Sequence, residues 1–194
     1  MQKLNVFIVC VVGVLLAKCS KDDTSIGFEL LNPDETGIDF TNLVPENDTL
    51  NQITYHYLYN GNGCALADLD NDGLPEVVVS GNNVPSKIYK NKGNFEFEDI
   101  TKSSGFKTNG WMTGVAVADV NSDGLLDIYL CRSGPWIDPK RKTNFLFINK
   151  GNLKFEEESE KWGVNNGGNT TMATFFDMDN DGDLDLFVGE YYGD

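Results

Sequence analysis

The nonapeptide Asp68-Leu-Asp-Asn-Asp-Gly-Leu-Pro-Glu76 decides the fold, because two close copies of it follow in the chain. The copies are Asp119-Val-Asn-Ser-Asp-Gly-Leu-Leu-Asp127 and Asp177-Met-Asp-Asn-Asp-Gly-Asp-Leu-Asp185. Counted between their first aspartates, the repeat steps are 51 and 58 residues. These steps lie in the range of propeller blades and exceed that of leucine-rich repeats.

Each nonapeptide lies between short apolar or β-branched stretches, which predicts a strand, a loop and a second strand. The first strands are predicted at residues 64–67, 115–118 and 173–176, and the second strands at 77–79, 128–130 and 186–188. A third strand at 87–91 or 144–149 ends at a glycine turn, and a fourth begins at Phe95 or Leu153. Four short strands per unit predict an all-β fold, a partial β-propeller of antiparallel four-stranded blades.

About two and a half blades fit into residues 28–194, and a closed ring usually needs four to eight. We therefore expect this region to be incomplete, so that the chain is either the front of a longer protein or a fragment with exposed sheet edges. Phe28-Glu-Leu-Leu and Gly37-Ile-Asp-Phe40 look like the fourth-strand and glycine piece of a blade. This piece is either a strand that closes the ring or an edge strand or linker.

Each nonapeptide places oxygen ligands at alternate positions around a glycine turn, as a hard cation requires. Positions one, three, five and nine offer side-chain oxygens and position seven a backbone carbonyl, while glycine at position six supplies a positive φ. The predicted ligands are Asp68, Asp70, Asp72, the Leu74 carbonyl and Glu76; Asp119, Asn121, Asp123, the Leu125 carbonyl and Asp127; and Asp177, Asp179, Asp181, the Asp183 carbonyl and Asp185.

Ca²⁺ fits such loops best, because it accepts irregular coordination by six to eight oxygens, whereas Mg²⁺ demands a tight octahedron. Asx turns without metal are the alternative, but three loops in register argue against it. An EF-hand is excluded because its twelfth position requires a bidentate glutamate, and here that position is Val79, Leu130 or Val188. The sequence predicts three Ca²⁺ sites.

The loop spacing, the strand context and the repeat length resemble the FG-GAP or VCBS repeat family, which forms the blades of integrin-type β-propellers. Tyr55-His-Tyr57, Asn60-Gly-Asn-Gly63 and residues 65–76 are further similar to the opening of cartilage acidic protein-like proteins. Bacterial members of that group are often large exported lipoproteins. The resemblance implies a Ca²⁺-stabilised propeller that serves extracellular binding without catalytic activity.

The first eighteen residues read as a signal peptide, with Lys3 ahead of an apolar run that is too short to cross a bilayer as a stable anchor. Cys19 follows a lipobox-like stretch, although Lys18 departs from the small residue usual there. Ser20-Lys-Asp-Asp23 resembles an export tag of surface lipoproteins. We predict lipidation at Cys19, a tether at 19–27 and an outer-membrane or cell-surface location; an ordinary cleaved signal is the alternative.

The formal net charge of −15 argues against nucleic acid as a partner. We predict a non-catalytic Ca²⁺-binding surface protein for adhesion or for binding a protein or glycan ligand. The alternative is the non-catalytic front of a larger exported enzyme, for instance one acting on polysaccharide. The only histidine, His56, is predicted in a strand and not as a base.

Five further side chains carry predictions. We expect Trp111 and Trp162 to pack between blades, whereas Trp136 is the best candidate for a ligand-facing aromatic and packing is its alternative. Cys64 and Cys131 are expected to be buried free thiols in strands of different repeats.

Overall fold

The computed structural model describes residues 27–192. The signal peptide, Cys19 and most of the predicted tether lie outside these residues. No helix within 27–192 has the length and apolar character needed to cross a membrane.

The first blade is a four-stranded antiparallel sheet of β1 (Cys64–Ala67), β2 (Glu76–Val79), β3 (Lys87–Asn91) and β4 (Phe97–Asp99). The strands lie side by side in chain order. The first acidic loop joins β1 to β2, so that Ala67 pairs with Glu76 at its base. This blade matches the predicted plan.

The second blade repeats this arrangement with longer inner strands. It consists of β5 (Trp111–Ala118), β6 (Asp127–Ser133), β7 (Phe145–Asn149) and β8 (Phe155–Glu157), again in chain order. A strand pair follows, β9 (Thr170–Phe176) and β10 (Asp185–Glu190), with the third acidic loop between them. The predicted all-β, partial propeller of antiparallel four-stranded blades is confirmed.

The fourth strand of each blade starts two residues later than predicted. Asn94 and Phe95 have positive φ values of 52° and 62°, and Asn152 and Leu153 have 53° and 54°. These left-handed residues extend the glycine turn, so Phe95 and Leu153 belong to the turn and not to β4 or β8. Aromatic and apolar residues rarely adopt this conformation, which is why the hydrophobic pattern suggested a strand.

A short helix followed by a glycine occurs three times within residues 27–192. The helices are α1 (Pro33–Thr36), α2 (Thr101–Ser104) and α3 (Ser159–Trp162), and a left-handed glycine follows each. A Cβ atom at Gly37 would lie 2.3 Å from the Phe97 carbonyl oxygen, and one at Gly105 would lie 2.8 Å from that of Phe155. Each of these glycines therefore lets a helical turn approach the fourth strand of the following blade.

The segment ahead of the first blade is thus the end of a repeat, as predicted, but it contains no strand between residues 27 and 63. Residues 28–31 and 37–40 flank α1 and belong to no strand within the described residues, and the ring-closing and linker interpretations stay predictions. Asp39 then fastens the segment to β3, since its carboxylate accepts hydrogen bonds from Lys87 Nζ at 2.7 Å and Tyr89 Oη at 2.9 Å.

The main hydrophobic core lies between the two complete blades. The first blade contributes Leu69, Val78 and Ile88, and the second Phe106, Ile128 and Phe147, all of them almost fully buried. Leu69 is the second residue of the first acidic loop. The loop is therefore anchored in the core by an apolar side chain.

Candidate metal centres

The first aspartate of each acidic loop holds the loop closed through two backbone amides. Asp68 Oδ1 accepts from the Asp72 amide at 3.1 Å, and Oδ2 accepts from the Gly73 amide at 2.9 Å. The equivalent distances are 3.0 and 2.8 Å at Asp119, and 3.2 and 3.1 Å at Asp177. One side chain at position one thus sets the curvature of every loop.

The middle of the loop turns through two left-handed residues. Glycine at position six has a positive φ in each loop, as predicted. Position four is left-handed as well, with φ values of 59°, 58° and 61° at Asn71, Ser122 and Asn180. Asparagine tolerates this conformation better than most residues, and this preference was the signal in the sequence that the prediction missed.

The fifth position makes an Asx turn in all three loops. The Oδ1 atoms of Asp72, Asp123 and Asp181 accept from the amide of position seven at 2.9, 2.9 and 3.1 Å. The Leu74 amide is the main reason why the pKa of Asp72 lies below its ordinary value. The second carboxylate oxygen of each aspartate does not take part in this turn.

The ninth position fastens the loop to its own blade. Glu76 Oε2 accepts from the Leu69 amide at 2.8 Å, and Asp127 Oδ2 accepts from the Val120 amide at 3.0 Å. Both side chains are buried, at 0% and 1% exposure, and burial raises the pKa of each. Asp185 Oδ2 makes the same bond to the Met178 amide at 2.9 Å, but Asp185 is only half-buried.

Carboxylates converge in the first and third loops. One oxygen each from Asp68, Asp70 and Glu76 lies within 4.8 Å of the others, and the same holds for Asp177, Asp179 and Asp185. The second loop has Asn121 in place of the third-position aspartate, and its Nδ2 donates to Asp123 Oδ2 at 2.9 Å. The fifth-position aspartates are not members of the carboxylate clusters found within residues 27–192.

A cation fits the first loop for a specific reason. Asp70 Oδ1 is buried and has no hydrogen-bond partner within residues 27–192. A buried carboxylate oxygen without a partner is costly, and a metal ion among Asp68, Asp70 and Glu76 would satisfy it.

In the third loop, Asp183 is the residue whose backbone carbonyl is the predicted seventh-position ligand. Its side chain is exposed and lies beside Asp181, and the interaction between the two carboxyl groups raises the pKa of Asp183.

Lys90 in β3 distinguishes the first loop from the second. Its Nζ donates to Asp70 and lies 3.3 Å from Asp72 Oδ2, so an internal ammonium already balances part of the loop's charge. The strand registers place Ile148 at the equivalent position in the second blade. The sequence pattern did not reveal this contact, because Lys90 lies eighteen residues beyond Asp72.

Asparagine side chains connect the loops to each other and to the third strands. Asn149 Nδ2 donates to the Leu69 carbonyl of the first loop at 2.8 Å and to the Leu126 carbonyl of the second at 3.1 Å. Asn71 Nδ2 reaches the Gly124 carbonyl at 2.9 Å. Both acidic loops therefore form one hydrogen-bonded group across the boundary between the blades.

The remaining predicted side chains differ in exposure and in secondary structure. Trp111 is buried against Tyr55 and Trp136 is half-buried beside them, whereas Trp162, the last residue of α3, is 41% exposed. His56 lies in a turn and not in a strand, because residues 51–60 form successive turns. Cys131 is a buried free thiol, as predicted. Cys64 is also a free thiol, but it is exposed at the first position of β1, so the prediction that it is buried is wrong.

Two complete antiparallel blades and a further strand pair, each with an acidic loop between its first two strands, define a β-propeller-type repeat protein. The family model described as FG-GAP-like repeat matches residues 68–130 and 136–188, which together exceed half of the chain. The chain therefore belongs to the FG-GAP-like repeat family, and the predicted resemblance is confirmed.

Curated relatives carry the name cartilage acidic protein 1. The protein of Xenopus tropicalis is 33% identical over 132 residues, which cover 66% of this chain and 19% of that protein. Those of Mus musculus and Homo sapiens are 29% and 27% identical over 132 and 129 residues, with the same coverage of both chains. The chain thus spans about a fifth of the length of these relatives.

Proposed function

We propose that this chain is a non-catalytic, extracellular Ca²⁺-binding repeat protein whose blades present a surface for a protein or glycan ligand. The observation that carries the proposal is the unsatisfied, buried Oδ1 of Asp70 within a cluster of three carboxylates. The same loop scaffold recurs twice, which supports three Ca²⁺ sites with the ligands named from the sequence. The FG-GAP-like repeat supports an extracellular location.

Calcium has a structural role in this proposal. Unit charges of like sign about 4 Å apart repel by roughly 4 kcal/mol at an effective dielectric of about 20, so the clustered carboxylates favour opening of the loops. Bound Ca²⁺ reverses the sign of this contribution. Because Asn149 and Asn71 connect the first two loops, ions in these loops also stabilise the contact between the blades.

Thermal unfolding tests the proposal directly. At a free Ca²⁺ concentration about 100 times the dissociation constant, each site stabilises the fold by roughly 2.7 kcal/mol. For a domain of this size, each kcal/mol raises Tm by about 2–4 °C. We expect a rise of at least about 5 °C over the chelator sample and a smaller rise with Mg²⁺. An unchanged Tm would contradict the proposal.

Asp68→Asn and Asp48→Asn form a matched pair for this experiment. Asp68 belongs to a carboxylate cluster, whereas Asp48 is an exposed aspartate outside the acidic loops. Asp68→Asn should reduce the Ca²⁺-dependent rise in Tm, and Asp48→Asn should leave it unchanged. Equal effects of both substitutions would show that the ion acts through general charge screening.

We further propose that the chain is a cell-surface lipoprotein anchored through Cys19. The sequence around Cys19 supports this proposal, although that segment lies outside the described residues. Incorporation of a labelled fatty acid during expression tests it, with Cys19→Ala as the variant. Labelling should disappear in Cys19→Ala, and labelling that persists would contradict the anchor.

A further inference from the structure

The end of the blades opposite the acidic loops carries an open groove. β5 runs from Trp111 towards the second acidic loop and β6 returns to Ser133, so the segment after Ser133 lies at the opposite end. There the segments around Tyr55, Trp136 and Tyr191 enclose a groove of about 640 Å³. This volume falls within the roughly 300–1,000 Å³ that ligand sites usually occupy.

One wall of the groove is a rigid aromatic cluster. The ring centroids of Tyr57 and Tyr191 lie 4.5 Å apart with the planes tilted by 48°, and Tyr55 meets Trp111 edge to face at 5.3 Å. The hydroxyl of Tyr191 is within hydrogen-bond distance of Tyr55 Oη at 3.3 Å and of Ser133 Oγ at 3.2 Å. These contacts fix the orientation of the rings before any ligand binds, which lowers the entropic cost of binding.

The chemistry of the groove differs from that of the rest of the molecule. Although the chain has 30 acidic residues, the groove has no aspartate or glutamate in the part of its lining that belongs to residues 27–192. Its polar groups are tyrosine and threonine hydroxyls, the Asn169 amide, His56 and Lys142. Lys142 Nζ donates to Asn169 Oδ1 at 3.1 Å.

A basic segment borders this groove. Residues 132–142 contain Arg132, Lys140, Arg141 and Lys142, which are four of the fifteen basic residues of the chain. The Arg141 guanidinium lies 4.2 Å from the centre of the Trp136 ring, and Trp136 lines the groove. None of the four cations forms an ion pair with a carboxylate within residues 27–192.

Arg132 is the most unusual of these cations. Its side chain is buried, with 7% exposure, and Nη2 donates to a neutral acceptor, Asn109 Oδ1, at 3.1 Å. Nε has no partner within residues 27–192. Burial, and to a smaller degree the charge of Arg141, lowers the pKa of Arg132. A buried guanidinium without a carboxylate partner is costly, although Arg132 itself does not line the groove.

The geometry points to an anionic glycan as the occupant of this groove, namely a saccharide chain that bears carboxylate or sulfate groups. Aromatic faces and neutral hydroxyl and amide groups suit sugar rings, and Lys142 in the lining and Arg141 beside Trp136 suit the anions. An acidic peptide would match only the cations. This inference rests on the proposed binding function and assigns a ligand class and a face to it.

Three dextrans with the same backbone test the inference: carboxymethyl-dextran, dextran sulfate and unmodified dextran. Binding to the 194-residue chain is measured by calorimetry and by tryptophan fluorescence after dialysis into saturating Ca²⁺. We expect at least one charged dextran to bind about ten-fold or more tightly than unmodified dextran. The preferred dextran identifies the anion as carboxylate or sulfate. No preference for either charged dextran would overturn the inference.

Matched variants locate the site. Arg141→Gln and Trp136→Ala should each weaken binding of the preferred dextran by about five-fold or more, because they remove an anion contact and a stacking face. Lys102→Gln and Trp162→Ala remove a cation and an indole ring from exposed positions on α2 and α3 and should leave binding unchanged. Equal losses in all four variants would contradict the site.

Two further outcomes decide between ligand classes and between the two proposals. Tighter binding of poly-L-glutamate than of either charged dextran would replace the glycan by an acidic peptide. The Ca²⁺-dependent rise in Tm is measured in the same samples. If that rise persists while no polymer binds, the glycan inference fails alone; if the rise is absent, the proposed Ca²⁺-binding function fails.

Discussion

Replacing Asp127 by asparagine measures how strongly the ninth position holds an acidic loop without metal. The Asp127 carboxylate accepts from the Asn149 amide at 2.8 Å and from the Val120 amide at 3.0 Å, and the side chain is 1% exposed. Asparagine keeps one acceptor oxygen, so one of the two amides faces an NH₂ group and loses its partner. A hydrogen bond to a charged group contributes about 1.5–3 kcal/mol.

We therefore expect Asp127→Asn to lower the free energy of unfolding by about 2–3 kcal/mol in chelator. Asp185→Asn is the matched control, because Asp185 is only half-buried and accepts from a single amide at 2.9 Å. Its loss should be about 1 kcal/mol or less. Equilibrium urea denaturation followed by far-ultraviolet circular dichroism gives both values. Equal losses, or a loss below about 0.5 kcal/mol for Asp127→Asn, would refute the reasoning.

Three further substitutions test separate parts of the account. Lys90→Met removes the ammonium beside Asp70 and Asp72, so we expect about five-fold tighter Ca²⁺ binding at the first loop by calorimetry; weaker binding would contradict competition between Lys90 and the ion. Ser122→Asn places a residue tolerant of positive φ at position four, and denaturation should show a gain of about 0.5 kcal/mol, whereas a loss would argue against strain there. Hydrogen bonds from Lys150, then Lys161 and Trp162, lower the pKa of Glu158 to about 2, so its stabilising effect is present above the ordinary value of 4.5 and is lost as the pH falls towards 2. The stability gap between wild type and Glu158→Gln should therefore shrink between pH 5 and pH 2, and a constant gap would disprove this effect.

The repeat plan was predictable because its determinants are local in sequence. The acidic nonapeptide contains its own turn residues, and β-branched stretches on both sides can only pair across it. Strand β1 therefore occupies residues 64–67 as predicted. The fourth strands were placed too early, since Phe95 and Leu153 look like strand residues but take up left-handed turn conformations. The hydrophobic pattern of a sequence does not show which residues adopt a positive φ.

The candidate sites depend more strongly than the repeat plan on contacts between distant segments. The grouping of Asp68, Asp70 and Glu76 follows from one nonapeptide and was predictable. Lys90 and Asn149 reach the first loop from other strands, and only the strand order brings them there. The groove at the other end joins residues from the distant segments around Tyr55, Trp136 and Tyr191. Trp136 was recognised as a candidate, but no pattern in the sequence places it beside Tyr191.

Calcium stoichiometry tests the central idea most directly, namely that the three acidic loops are metal sites. Equilibrium dialysis of the protein against radioactive Ca²⁺ counts the ions bound per chain at saturation. The account predicts three ions per chain, falling to two when Asp68, Asp70 and Glu76 are replaced together by their amides. Saturation with fewer than one ion per chain, or a stoichiometry unchanged by that triple substitution, would contradict it.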